Sequence, residues 1–87
     1  MADPTDRVLH EIADERDHQD AKWGQQNHPD GTTRLLAVSA DVARTLCQNA
    51  AAAGSPTWAL ILNEEFYEVL AEEDPVKLRA ELVQVAA

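Results

Sequence analysis

Three times in this chain a capping residue stands directly before a proline: Asp3-Pro4, Ser55-Pro56 and Asp74-Pro75. Proline has a helix-compatible φ and no N–H, so it suits the first helical position, where that donor would lack a partner anyway. The preceding Asp or Ser accepts from the next free N–H groups. Each pair therefore predicts a helix start. After Pro4, the residues Val8, Ile12 and Trp23 recur at near-helical intervals as far as Gly24. Gly24 to Thr32, with Asn27, Pro29, Asp30 and Gly31, reads as a loop. Thr32 or Thr33 caps a second helix with Leu35, Leu36, Val38, Val42 and Leu46 as its apolar stripe, and Gly54 stands where a C-terminal glycine belongs. The third helix, from Pro56, carries Trp58, Ile61, Leu62, Phe66, Val69 and Leu70. The fourth, from Pro75, carries Leu78, Leu82, Val83 and Val85 and reaches Ala87 still apolar, which fits either a shortened chain or an end that docks on a partner. No stretch alternates apolar and polar residues between turns, so the expected fold is all-α.

Eighty-seven residues suffice for one domain, spanning 1–87. A domain of this size buries only about 60–65% of its unfolded surface, so a dimer is the expected way to complete the core. The formal charge of -9 argues against nucleic acid as partner, which would need a basic footprint. No run nears the ~20 apolar residues of a membrane span, and no signal-peptide pattern opens the chain. With the single Cys47 also unable to form an internal disulfide, the expected setting is cytoplasmic. Cys47, His10, His18 and His28 are scattered and predict no zinc site.

The charge is unevenly placed. Residues 1–30 hold 8 acids and 3 bases, residues 31–63 one acid and two bases, and residues 64–87 seven acids and two bases. An acidic run on a helix is ordinarily a solvated face, but the third helix departs from that. At about 100° per residue, Trp58, Ile61, Glu65, Glu68, Val69 and Glu72 share one side, so Glu65 lies within the apolar stripe. An ionised carboxylate there is costly unless a cation or donors compensate it.

The junction at Glu73 and Asp74 is short enough to fold helices three and four into an antiparallel hairpin. Counted from Asp74, Glu68 is six residues back and Glu81 seven forward, while Glu65 is nine back and Gln84 ten forward. With a rise of about 1.5 Å per residue on both helices, Glu68 should stand level with Glu81 and Glu65 with Gln84. Three carboxylates and an amide oxygen then converge. Oxygen-only ligands favour Mg²⁺ or Mn²⁺ over zinc, and such an ion gives an acidic protein a way to hold phosphate. Glu64, on the flank, either holds a second ion or faces water.

The run Glu64-Glu65-Phe66-Tyr67-Glu68, followed by Glu81-Leu82-Val83-Gln84, resembles the signature of the MazG-like all-α nucleoside triphosphate pyrophosphohydrolases, Glu-Glu-x-x-Glu on one helix and Glu-x-x-Asp on the next. The stretch Glu15-Arg16, Gln19, Lys22-Trp23-Gly24 and His28-Pro29-Asp30-Gly31-Thr32 is similar to small actinobacterial and phage members. The resemblance implies a four-helix bundle completed by dimerisation, or by a pair of dimers. It also implies Mg²⁺-dependent cleavage of a nucleoside triphosphate to monophosphate and pyrophosphate. By carry-over, Glu65, Glu68 and Glu81 are metal ligands, Gln84 takes the remaining position, and Glu64 is an accessory carboxylate.

Gln84 departs from the family's aspartate: an amide offers an oxygen but no negative charge. The alternative is accordingly a catalytically weakened or inactive member, serving as a nucleotide- or metal-binding or helical interaction module. Candidate substrate contacts are Trp23 for a base, Lys22 for a phosphate and Asn27 for a base edge. Against these stand plainer roles, with Trp23 sealing helix one and Lys22 solvated. Trp58 reads as a packing residue, and Arg34, Arg44 and Arg79 are candidate phosphate partners for which the sequence offers no arrangement, so that surface roles are the preferred reading.

Overall fold

The computed structural model describes residues 3–87, and among these it contains α1 (Pro4–Trp23), a 3-10 turn (Arg34–Leu36), α2 (Ala37–Ala52), α3 (Trp58–Ala71) and α4 (Pro75–Ala86), with no strand. Local chemistry accounts for most of these boundaries. The Asp3 carboxylate accepts from the N–H groups of Thr5 (2.8 Å) and Asp6 (3.1 Å), and Pro4 opens α1. Asp74 accepts from Val76 (2.9 Å) and Lys77 (3.4 Å), and Pro75 opens α4. Gly54, at φ 75°, ends α2 with its N–H donating to the Ala51 carbonyl and that of Ser55 to the Ala50 carbonyl. That crossed pair of bonds needs a left-handed residue, hence glycine.

Ser55 is therefore not the cap of the third helix. Its N–H already closes α2, and the cap passes to Thr57, whose hydroxyl accepts from Leu60 N–H (3.1 Å). On the N-terminal side of α2, Thr33 caps the 3-10 turn through Leu35 N–H (3.2 Å), and α2 itself begins without a side-chain cap. The turn is fastened to the C-terminal end of α3: Thr33 N–H donates to the Leu70 carbonyl (2.8 Å) and Arg34 N–H to Glu73 Oε1 (2.9 Å).

Helix α2 packs along α3, and α3 along α4. The buried residues are Ala40, Ala43 and Cys47 of α2, Val69 of α3 and Leu78 of α4. Ala40, Ala43 and Cys47 share one helical face and let α3 approach closely. The stripe expected to be the core of α2 points elsewhere: Val38 is 73% exposed, and Leu35, Val42 and Leu46 are exposed as well. Small residues carry little hydrophobic signal in a sequence, yet they form the contact here because they admit a neighbouring backbone. Trp58 is also a correction, at 84% exposed; it is the first residue of α3 and nothing covers it.

Helix α1 stands apart. It packs on no other element among the described residues, and none of its residues is buried. Val8, Leu9 and Ile12 look across an open apolar groove of about 710 Å³ to Val83, Ala86 and Ala87 at the end of α4. The consequence is an expanded chain. Its accessible surface is 7154 Å² and its radius of gyration 15.9 Å. A compact monomer of the same mass would show about 5,100 Å² and about 12 Å.

Candidate carboxylate site on the helical hairpin

The connection Glu72–Asp74 brings α3 and α4 together, and Glu72 Oε1 steadies it by accepting from Asp74 N–H (3.0 Å). Glu68 lies one turn before this connection and Glu81 about two turns after Asp74, so the equal rise of the two helices sets them opposite each other. Both line one recess of about 320 Å³, together with Glu72, Ala71 and, from α2, Ala37, Ala40, Asp41 and Arg44. The small residues Ala37, Ala40 and Ala71 leave its walls low. The phase reading of α3 holds for most of its members: Ile61, Glu65, Glu68 and Glu72 are half-buried and Val69 is buried.

Arg44 compensates the carboxylates. Its Nη1 donates to Asp41 Oδ1 (2.8 Å) and its Nη2 to Glu68 Oε1 (3.3 Å), while Nε lies 3.9 Å from Glu64 Oε1. Hydrogen bonds to Asp41 and then Glu68 raise its already high pKa, fixing it as a cation. The surface role expected of Arg44 holds in part, since its side chain is 41% exposed, but the sequence does not reveal its carboxylate partners on α3. Its signal was Asp41 three residues earlier, a pairing that locates one partner but not the helix across.

Glu81 has no such compensation of its own. Its Oε2 is buried and has no hydrogen-bond partner. Burial pushes its carboxyl pKa above the ordinary value, the charges of Glu68 and Glu72 push it further, and Arg44 partly offsets them. On the other side of Arg44, Glu64 is half-buried beside Cys47 and raises the thiol pKa as a hydrogen-bond acceptor, aided by burial and by the charges of Glu64 and Glu65. A buried thiol held protonated is a poor nucleophile.

The expected convergence is thus realised for Glu68 and Glu81, with Glu64 joined to Glu68 through Arg44. Glu65 is half-buried but does not line the recess, and Gln84 is exposed outside it. Among the described residues, no group of three or more His, Cys, Asp or Glu side chains is gathered to hold a metal ion as it stands. The candidate substrate contacts lie elsewhere. Trp23 is 62% exposed, with the Lys22 ammonium 4.9 Å from its ring centroid, so Trp23 does not seal α1. Asn27 is exposed in the following loop.

No family model matches the chain, and neither a curated protein nor a solved structure is detectably similar to it. Among the described residues, no helix is long and apolar enough to cross a membrane.

Proposed function

We propose that the chain is a MazG-like nucleoside triphosphate pyrophosphohydrolase that works with Mg²⁺ or Mn²⁺. The observation that carries this reading is the facing of Glu68 and Glu81 across a recess in which Glu81 Oε2 is buried without a partner. An orphaned carboxylate oxygen among further carboxylates fits a hard cation, whose preferred ligands are oxygens. Glu65, Glu68 and Glu81 are the proposed holders, with the Gln84 amide oxygen at the margin and Glu64 as the accessory carboxylate. When bound, the ion supplies neutralisation of phosphate charge and activation of a water. The chain's own residues supply the rest: α3 and α4 hold the carboxylates at one level, and Arg44 keeps Glu64 and Glu68 from repelling each other before ligand arrives.

Incubation of the chain with a panel of nucleoside triphosphates and Mg²⁺ should release pyrophosphate and the monophosphate. Absence of metal-dependent release across the panel overturns the enzyme reading. A second reading, a nucleotide- or metal-binding or helical interaction module without turnover, is favoured by Gln84, which is neutral and exposed outside the recess. Gln84→Asp separates the two. A gain in metal affinity with turnover supports a weakened enzyme, and a gain in affinity alone supports the module.

The working unit in this proposal is a dimer or a pair of dimers. The protomer exposes roughly 2,000 Å² more than a compact chain of its mass, against about 800 Å² that each partner buries in a standard interface. Val38, Val42 and Leu46, one exposed face of α2, and the groove between α1 and α4 are the apolar areas awaiting cover. Lys22, Trp23 and Asn27 meet a nucleotide only in such an assembly, because the recess on the hairpin contains none of them. Sedimentation of the wild type against Val42→Asp tests this: the variant should shift to the monomer, and a monomeric wild type overturns the proposal.

A further inference from the structure

The position offered to a cation by the hairpin carboxylates is already taken by a side chain. Arg44 reaches Glu68 at 3.3 Å and Glu64 at 3.9 Å from α2, while its shortest contact, 2.8 Å, is to Asp41 on its own helix. We propose that Arg44 is the resident counter-cation of this site, and that a divalent ion enters by displacing its guanidinium from Glu68 and Glu64. The inference rests on the metal reading given above and adds a regulatory step to it.

Four observations support the exchange. One positive charge faces Asp41, Glu64 and Glu68, and Glu81 Oε2 remains buried without a partner, so the neutralisation by Arg44 is incomplete. A dication carries twice the charge of the guanidinium and offsets more of the negative charge. The two contacts to be given up are long, and the Arg44 side chain is 41% exposed, the setting in which ion pairs hold weakly. The contact to Asp41 belongs to α2 alone, so Arg44 keeps one carboxylate partner throughout and never becomes an unpaired charge. Lastly, Arg44, Glu68 and Glu81 line the same open recess, so an ion reaches these carboxylates without any helix moving. The same contacts explain why the carboxylates are not gathered around a common point: Glu64 and Glu68 are turned to the guanidinium.

Titration of Mn²⁺ into the wild type, Arg44→Gln and Arg44→Lys at constant ionic strength, with free Mn²⁺ read by electron paramagnetic resonance, tests the competition. Removal of the competing cation should tighten Mn²⁺ binding about five- to tenfold in Arg44→Gln, since each exposed ion pair contributes a small free energy. Arg44→Lys should fall between, because an ammonium cannot fork across two carboxylates as a guanidinium does. A purely structural arginine would leave affinity unchanged or lower it, and that result in both variants overturns the proposal while leaving the metal site standing. Uptake by Arg44→Gln but not by the wild type supports the proposal. Uptake by neither, up to millimolar Mn²⁺, overturns the metal reading and the proposal with it. A measurement on the wild type guards against variants that do not fold. The Arg44 Nε–H resonance should shift as Mg²⁺ saturates the protein, and a resonance that stays in place while Mg²⁺ binds overturns the displacement.

Discussion

The chain carries two acidic blocks of equal net charge, -5 in residues 1–30 and -5 in residues 64–87, and the fold treats them in opposite ways. On α1 the acids stay in water. Their contacts are short-range, with Arg16 to Asp20 at 3.3 Å and Gln19 to Glu15 at 3.0 Å, each one helical turn apart. On the hairpin, Glu64, Glu65, Glu68, Glu72 and Glu81 are all half-buried, and the cation that meets Glu64 and Glu68 comes from another helix. What separates the blocks is phase. Acids spread around α1 share it with a short apolar patch that meets no neighbour, whereas acids within the apolar stripe of α3 are carried against α2 and α4. Net charge is silent on this difference, and it decides which block lines a recess between helices.

The largest expected effect contrasts one carboxylate from each block. Under the proposed metal-dependent activity, Glu68→Gln should reduce pyrophosphate release by roughly 100-fold or more, since even the outer-shell partners of a metal site carry about 10- to 100-fold, while Asp17→Asn on α1 leaves it unchanged. Equal losses in the two variants would mean that bulk acidity, and not the recess, supports activity. Next in size is Asp74→Ala. It removes a cap worth about 1 kcal/mol from a helix that carries the buried Leu78, and should lower Tm by about 4–8 °C in a thermal melt.

The parts of this contrast legible in the sequence are those set by local chemistry or fixed geometry. Asp3 and Asp74 are readable as caps because a carboxylate before proline has its backbone N–H donors within three residues. The facing of Glu68 and Glu81 was readable because helical rise is constant on both sides of a short turn. Ser55 was misread because the glycine stop of α2 and the start of α3 compete for the same residues. The face of α2 that packs was misread because Ala40, Ala43 and Cys47 lack the bulk that marks a stripe, and the larger Val38, Val42 and Leu46 outweigh them in any count. The pairing of Arg44 is not legible because its partners Glu64 and Glu68 lie 20 and 24 residues on, a relation that exists only after α2 and α3 have packed.

Glu81→Gln reverses the usual cost of altering a site and is smaller. The folded carboxyl keeps its proton to a higher pH than a free glutamate, whose ordinary value is 4.5, so ionisation opposes folding. That cost is absent below the ordinary value and grows as pH rises through the raised one. At pH 7 without metal, Glu81→Gln should therefore raise Tm by about 2–4 °C, an effect kept modest by the partial access of solvent to the recess. At pH 4 the gain should vanish, because the wild-type carboxyl is then protonated. A gain that persists at pH 4 would assign the effect to packing and remove the electrostatic conflict from the hairpin.

The smallest expected effect sets the two proline-preceded caps against each other. Asp3 and Asp74 make the same pair of backbone contacts and each is followed by proline, so their local chemistry is alike. Their helices differ in what they support: α4 contributes Leu78 to the core, and α1 contributes nothing buried. In dilute solution, below the concentration of the proposed assembly, Asp3→Ala should fray the first turn of α1 and lower helical circular dichroism slightly, with no change in the cooperative Tm. At concentrations where the proposed assembly would cover Val8, Leu9 and Ile12, fraying of α1 would be linked to that interface, and Tm should fall by a degree or two, about a quarter of the Asp74→Ala shift. A Tm loss in dilute solution as large as that of Asp74→Ala would show that α1 belongs to the folded core of the single protomer, and the contrast between the two blocks would then rest on phase alone.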